Sequence, residues 1–337
     1  MADLEALIGG FTAAGFVRNP TPLDRLDRLS AQTGLDLWIK RDDLTGLGLG
    51  GNKIRQLDYY MGDALSRGAD TVLITGAVQS NYVRAAAACA AKLGMGAVLQ
   101  LEDRVADMGA LYESSGNVLL GQILGAKHIR YPEGEDEAGA DRALRRHADT
   151  LKAQGRTPYV IPLGLQNPPM GALGYMRAAQ EILAAPKRFD AVVVASGSGI
   201  THAGLLAGLR VLGCDIPVYG ICVRRSADAQ KDRLATIAAL LGEMLEAPAP
   251  FGVDDLHFWD GALAPGYGQL GDHARAALLM MARAEGVLLD PVYTAKSFAG
   301  VLGLVRDGVL RASQRVLFIH TGGQPALFGY GADGIGL

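Results

Sequence analysis

The stretch AVVVASGSGITHAG, residues 191–204, decides how the chain folds. Ala191, Val192, Val193, Val194 and Ala195 make an uninterrupted apolar run, suited to a strand buried on both faces. Ser196, Gly197, Ser198 and Gly199 turn the chain, and from His202 the apolar residues recur at helical spacing. A buried strand passing through a small-residue turn into a helix is the unit of a parallel α/β sheet. Such a turn exposes backbone N–H groups at a helix N-terminus and so forms a cradle for a phosphate. It is not a P-loop, because no Gly-Lys-Ser/Thr follows. A dinucleotide fingerprint would need glycine where His202 stands.

The same alternation extends in both directions. Strands are expected at 37–40, 71–74, 97–100, 127–131, 158–161, 191–195, 218–222 and 315–319. Helical spacing fills 54–67, 83–93, 142–154, 171–183, 202–212 and 273–285, with Gly68, Gly94, Gly155, Gly213 and Gly286 as stops. The expected class is α/β, with open, twisted, mostly parallel sheets covered by helices. A length of 337 residues suits two units or one large one. No Pro/Ser-rich linker separates them, so the units are expected to interleave. Residues 133–146, acidic and then basic, read as a solvated loop leading into a helix.

Composition excludes several function classes. A net charge of -3 leaves no electrostatic footprint for nucleic acid. The three cysteines, Cys89, Cys214 and Cys222, are odd in number and have no CxxC spacing, which suits a reducing cytoplasm. The histidines never fall at metal-ligand spacing, so no metal is expected. Residues 1–5 are acidic where a signal peptide would be basic, and no apolar run is long enough to span a membrane.

Four further segments can carry chemistry. KRDDLT at 40–45 is followed by GGNK at 50–53, which places Lys53 at a helix start behind a glycine-rich loop. The positive end of that helix disfavours a charged amine, and a neutral amine is what Schiff-base chemistry needs. In GAVQSNY, residues 76–82, Ser80 and Asn81 suit helix capping, and they also suit a ligand at the carboxyl end of a parallel strand. DPVYTAKS at 290–297 carries Tyr293, and PGYG at 265–268 carries Tyr267. A tyrosine before a helix N-terminus is expected to hold a depressed pKa and to act as acid or base. HTGGQPAL at 320–327 follows the last strand, where a crevice is expected. Lys53 is the only cation in the pocket-facing turns of these motifs.

Together the motifs resemble the pyridoxal-phosphate enzymes of fold type II, the tryptophan synthase β-like fold. Within these they are similar to the D-cysteine desulfhydrase and 1-aminocyclopropane-1-carboxylate deaminase family. The stretches KRDDLTGLGLGGNK, GAVQSN, GSGITHAG, DPVYTAKS and TGGQPAL stand in the family's order. The resemblance implies pyridoxal 5'-phosphate as cofactor, joined to Lys53. It implies a phosphate loop of Gly197, Ser198, Gly199, Ile200 and Thr201, with Asn81 at the phenolic oxygen. Thr294 would approach the pyridine nitrogen, and Thr321 joins the cofactor-binding set. Lys53, Ser80, Tyr267 and Tyr293 would be catalytic, and Gln79, Ser80, Asn81, Tyr82 and Gln166 would meet the substrate. The large domain would comprise residues 1–59 and 166–337, with a small α/β domain inserted at 60–165.

Three departures bear on the substrate. The ring-opening deaminases carry glutamate at Thr294. The usual histidine after Gln-Ser-Asn is Tyr82. Leu165 and Gln166 replace a small, serine-containing turn. The resemblance therefore implies a carbon–sulfur lyase making pyruvate and ammonia from a small amino acid. D-cysteine would release sulfide, or L-cysteate sulfite, with Tyr82 and Gln166 as extra donors for a sulfonate. A deaminase opening the cyclopropane ring and a non-catalytic cofactor carrier are the alternatives. The expected assembly is a cytoplasmic homodimer. A nicotinamide dehydrogenase is excluded by the missing fingerprint.

Overall fold

The computed structural model describes residues 4–165 and 167–337. Gln166, expected at the substrate, lies outside the described residues. The strands are β1 (Leu23–Arg25), β2 (Asp36–Lys40), β3 (Thr71–Ala77), β4 (Gly96–Glu102), β5 (Lys127–Tyr131), β6 (Pro158–Ile161), β7 (Ala191–Ser196), β8 (Val218–Cys222), β9 (His257–Trp259) and β10 (Arg315–Ile319). One sheet runs β1-β2-β10-β7-β8-β9 and the other β5-β4-β3-β6. Every pairing is parallel except β1 with β2. In the register, Phe318 of β10 stands between Ile39 of β2 and Val193 of β7. All eight expected strands are present. The two unexpected ones, β1 and β9, are three-residue edge strands, too short to carry a pattern.

Burial explains the strand composition. β7 is buried along its whole length, as a central parallel strand covered on both faces must be. The helix after it, Ile200–Val211, packs against Ala172–Ala184 with little room. A Cβ at Gly204 would lie 2.3 Å from the carbonyl oxygen of Ala172, and one at Gly208 would lie 2.7 Å from the Cα of Met176. Glycine at both positions lets the two backbones approach, and alanine at either would force them apart.

The Asn52–Ser66 helix, which carries Lys53, is locked to β2 by a buried ionic cluster. Arg55 donates from Nε and Nη2 to Asp42 at 3.1 and 3.0 Å, and from Nη1 to Glu181 at 2.6 Å. Asp42 also accepts the hydroxyls of Thr21 and Tyr175, each at 2.6 Å. Lys40 closes the cluster onto Glu181 at 2.8 Å.

The segment 133–146 departs from the sequence expectation. The helix Glu137–Ala153 starts five residues before position 142, because Asp136 caps it by accepting the Gly139 N–H at 2.8 Å. Glu137 is not a solvated loop residue: it is drawn against three arginines of the larger sheet's side. Among the described residues, no helix is long and apolar enough to cross a membrane, and no cluster of His, Cys, Asp or Glu could hold a metal.

Candidate active site

The carboxyl ends of β3, β4, β6, β7, β8 and β10 open onto one cavity between the two sheets, the position at which open α/β sheets bind ligands. Lys53 lines it from the first turn of its helix. The preceding loop turns through Gly50 and Gly51, with φ of 65° and 108°. At Gly50 a Cβ would sit 2.1 Å from the Asp43 carbonyl oxygen, so only glycine fits. Arg84, buried in the facing helix, holds this loop by donating to the carbonyls of Gly48 and Gly50. The Lys53 amine lies 5.0 Å from the centre of the Tyr82 ring and donates to Gln56 Oε1 at 3.2 Å. Burial lowers its pKa to about 8. The neutral amine was expected from the helix dipole, and the cause in the structure is loss of water.

The residues 197–201 line the cavity's opposite wall. The amides of Ser198, Gly199, Ile200 and Thr201 have no acceptor among the described residues, as expected at a helix N-terminus. Gly199 has φ 91°, and a Cβ there would press on Leu234 and Ile237 at 2.9 Å. The loop is held from behind: Arg225 and Gln230 donate to the Gly197 carbonyl at 3.2 Å, and Arg233 to that of Ser198 at 2.8 Å. Thr201 Oγ1 accepts from Asn52 at 2.8 Å and from Gln56 at 2.7 Å. Both lone pairs are thereby used, and the hydroxyl proton is left to donate into the cradle.

From β3 come Ser80, Asn81 and Tyr82, all lining the cavity. Ser80 caps the Asn81–Leu93 helix, accepting from Tyr82 N at 3.2 Å and Val83 N at 3.5 Å, and keeps its own proton to give. Capping and cavity lining coexist in one residue. Asn81 Oδ1 accepts from Asn117 at 2.9 Å, which leaves its amide nitrogen as the group offered outward. On the remaining side Tyr267 and Tyr293 share a hydroxyl–hydroxyl bond of 2.6 Å. Thr321 also lines the cavity, and its carbonyl accepts the Asn52 N–H at 3.0 Å.

A family model described as "Pyridoxal-phosphate dependent enzyme" matches residues 16–322. The chain belongs to this family. Its cofactor is pyridoxal 5'-phosphate. Among curated proteins, this family member is 42% identical to a D-cysteine desulfhydrase of Yersinia pestis (strain Pestoides F) over 330 residues, covering 97% of this chain and 98% of that one. It is 41% identical to a D-cysteine desulfhydrase of Salmonella typhimurium over 323 residues, covering 95% and 96%. A crystal structure described as an ACC deaminase homologue superposes with a TM-score of 0.88 at 38% identity, covering 99% and 98%. An O-ureido-L-serine synthase structure, at 20% identity and TM-score 0.64, shares the fold.

The residues present fit the cofactor. A half-buried amine of lowered pKa shares one cavity with a turn of unpaired amides, whose positive φ at Gly199 calls for glycine. An aldehyde and a phosphate on one small molecule match these two features.

Two expected residues are placed elsewhere. Gln79 does not line the cavity: its amide donates to the carbonyls of Tyr112 and Ser115 at 2.6 and 2.9 Å, and its Oε1 accepts from Asn117 N at 2.9 Å. It acts on the site through Asn117, which orients Asn81. Thr294 does not line the cavity either. Its hydroxyl donates to Asp290 Oδ1 at 2.6 Å and accepts from the Asp290 N–H at 2.6 Å. Asp290 also accepts the N–H groups of Val292, Tyr293 and Thr294, so a carboxylate already occupies that helix N-terminus. Tyr293 consequently has no free dipole to lower its pKa. Burial first, then Tyr267, push it well above the ordinary value, so it holds its proton and suits an acid.

Sequence reasoning missed Asn52, Gln56, Asn117, Arg104, Glu137 and Arg224. Asn52 and Gln56 flank Lys53, and helical spacing places Gln56 one turn after Lys53 and Asn52, a signal that could have been read. Arg104 and Arg224 line the cavity from loops outside every quoted motif, so Lys53 is not the cavity's only cation.

Proposed function

We propose that this enzyme is a carbon–sulfur lyase performing β-elimination on a small cysteine-like amino acid. With D-cysteine, substrate and water give pyruvate, ammonia and sulfide; with L-cysteate the sulfur leaves as sulfite. The observation that carries the reading is the full-length identity of 42% to a D-cysteine desulfhydrase, joined to Lys53, Ser80 and the tyrosine pair on one cavity. In this reading the amides of residues 197–201 and the Thr201 hydroxyl hold the phosphate, and Asn81 meets the phenolic oxygen. Bound pyridoxal phosphate supplies an electron sink for the pair left when the α-proton departs. The Lys53 amine takes that proton, with the Ser80 hydroxyl beside it as relay. Tyr293, protonated and bonded to Tyr267, donates to the departing sulfur. The enclosed walls keep water from competing for these protons.

The reading includes the inserted unit at 60–165 and the large unit of 1–59 with 166–337. Sheet membership supports that division, since β3 to β6 form one sheet and all others the second. It places the enzyme in the cytoplasm as a homodimer. A groove with the exposed side chains Leu44, Leu49, Leu119 and Phe328 supports the dimer, since clustered exposed apolar groups mark interfaces. Sedimentation velocity should give a dimer for the natural protein and a monomer for Leu49→Asp/Phe328→Asp. A monomer for the natural protein refutes that part.

A substrate panel tests the reaction. Purified enzyme is given D-cysteine, L-cysteine, L-cysteate and 1-aminocyclopropane-1-carboxylate, and pyruvate, 2-oxobutyrate, sulfide and sulfite are measured. Pyruvate with one equivalent of sulfide or sulfite is expected. Production of 2-oxobutyrate alone would make it the ring-opening deaminase, and no product from any of the four would refute the lyase.

A further inference from the structure

The cavity wall around the tyrosine pair is cationic, and the phosphate cradle does not account for it. Arg104, from the loop after β4, and Arg224, from the loop after β8, both line the cavity. Their side chains are only 6% and 8% exposed, which is unusual for a guanidinium without full pairing. The Arg224 guanidinium lies 5.8 Å from the centre of the Tyr267 ring. Arg104 lines the same cavity as Tyr267 and Tyr293. Two arginines therefore bracket the groups assigned to the leaving sulfur.

Carboxylates face them, and these must be counted. Glu102 holds Arg104 at 2.8 Å, and its other oxygen accepts the Thr75 hydroxyl at 2.7 Å. Glu137 receives Arg224 and Arg225 at 2.8 Å and Arg233 at 3.5 Å. Glu135 receives Arg224 at 2.8 Å but is 76% exposed. Four arginines thus meet three carboxylates, one of them mostly in water, so the wall keeps a net positive charge. Arg225 and Arg233 stand behind the phosphate loop, whose carbonyls they hold. Arg104 and Arg224 are left on the substrate side. Neither Arg104 Nη1 nor Arg224 Nε has a hydrogen-bond partner among the described residues.

We infer that Arg104 and Arg224 form a second anion subsite, which binds a negatively charged group carried on the β-carbon of the amino-acid substrate, of the sulfonate class. The inference rests on the lyase reading and names its substrate class. Of the first N–H groups of the Asn81–Leu93 helix, Ser80 Oγ takes those of Tyr82 and Val83, and the Asn81 N–H is left to meet the α-carboxylate in this reading. A neutral thiol makes no use of two buried guanidiniums, whereas a sulfonate has three oxygens to place and cannot be buried without such partners. Departing sulfite also keeps its charge beside them, so the subsite stabilises the leaving group as its bond to carbon breaks.

The test uses the holoenzyme and two readouts. Calorimetry measures binding of 3-sulfopropanoate, an inert dianion, and of propanoate. Steady-state kinetics compare L-cysteate with D-cysteine. The variants are Arg104→Lys, Arg224→Met and the double change Arg104→Met/Glu102→Gln, which leaves no buried carboxylate unpaired if Arg104→Met alone fails to fold. The natural enzyme should bind 3-sulfopropanoate at least roughly tenfold tighter than propanoate. The double variant and Arg224→Met should abolish that preference and raise KM for L-cysteate roughly tenfold more than KM for D-cysteine, and Arg104→Lys should keep part of it. Equal binding of both anions by the natural enzyme overturns the subsite, and so do equal losses on both substrates, which would make the arginines α-carboxylate receptors or structural. If D-cysteine is turned over while 3-sulfopropanoate does not bind, the subsite fails and the lyase stands. If 3-sulfopropanoate binds selectively and neither amino acid yields pyruvate, the lyase reading fails instead.

Discussion

Lys53→Ala should fold normally and lose pyruvate formation by roughly a thousandfold or more, with every substrate of the panel. The side chain is half-buried on the cavity wall, and its amine bonds to Gln56 Oε1 at 3.2 Å. In the proposed mechanism, removing it takes away both the nitrogen that joins the cofactor and the base for the α-proton. Borohydride reduction of the natural enzyme should fix the cofactor to the peptide containing Lys53, and the variant should retain none. A Lys53→Ala enzyme that still traps the cofactor and turns over at the natural rate would refute the assignment. The pH dependence follows from the pKa of about 8. Below that value the amine is protonated and unreactive, and above it the neutral form dominates. Uptake of added pyridoxal phosphate by cofactor-stripped protein should therefore accelerate through about pH 8. Acceleration only near the ordinary lysine value would show that burial does not tune the amine.

Arg55→Met should cost about 3–5 kcal/mol of stability, the range expected when one member of a buried ion cluster is removed. Asp42 is fully buried, and Arg55 is its main cation. Burial opposes the charge on Asp42, yet Arg55 and then Lys40 outweigh it and hold the carboxyl below its usual range. The stability this carboxylate contributes is present above its ordinary pKa and is lost as pH falls through the depressed one. Without Arg55 the carboxyl takes up a proton at higher pH, so the variant's deficit should narrow on acidification. Urea midpoints at neutral and mildly acidic pH measure both effects. A loss under about 1 kcal/mol would place the cluster with ordinary surface ion pairs. The same helix carries Lys53, so the variant should also loosen the Lys53 amine.

The site was legible where chemistry and local backbone geometry coincide. Residues 191–204 are a buried strand, a glycine turn and a helix in consecutive order, so the turn is legible locally, although Arg225, Gln230 and Arg233 hold it from behind. Lys53 behind Gly50 and Gly51 is equally local. The central strands β3 and β7 were legible because a buried parallel strand leaves its own apolar run in the chain. Helix stops were legible for the same reason: Gly94 and Gly286 adopt the left-handed conformation that ends a helix.

Other features depend on what a side chain meets across the fold. Gln79 sits within a cavity motif, yet Tyr112, Ser115 and Asn117 take up its amide, and no local pattern announces that. Thr294 is likewise turned away by Asp290, whose carboxylate also cancels the helix field that Tyr293 was expected to feel. Glu137 reads as one acid in a charged run, but three arginines nearly a hundred residues along the chain draw it in.

Local runs, turns and helical periods dictated the parallel α/β class, the glycine turn at 197–201 and the place of Lys53 at a helix start, because each arises from forces between near neighbours in the chain. The charge of the cavity came from elsewhere. Arg104 follows β4 and Arg224 follows β8, strands of different sheets, and they share a wall only once both sheets have packed. Protonation obeys the same division: burial, a property of the whole fold, lowers Lys53 and raises Tyr293.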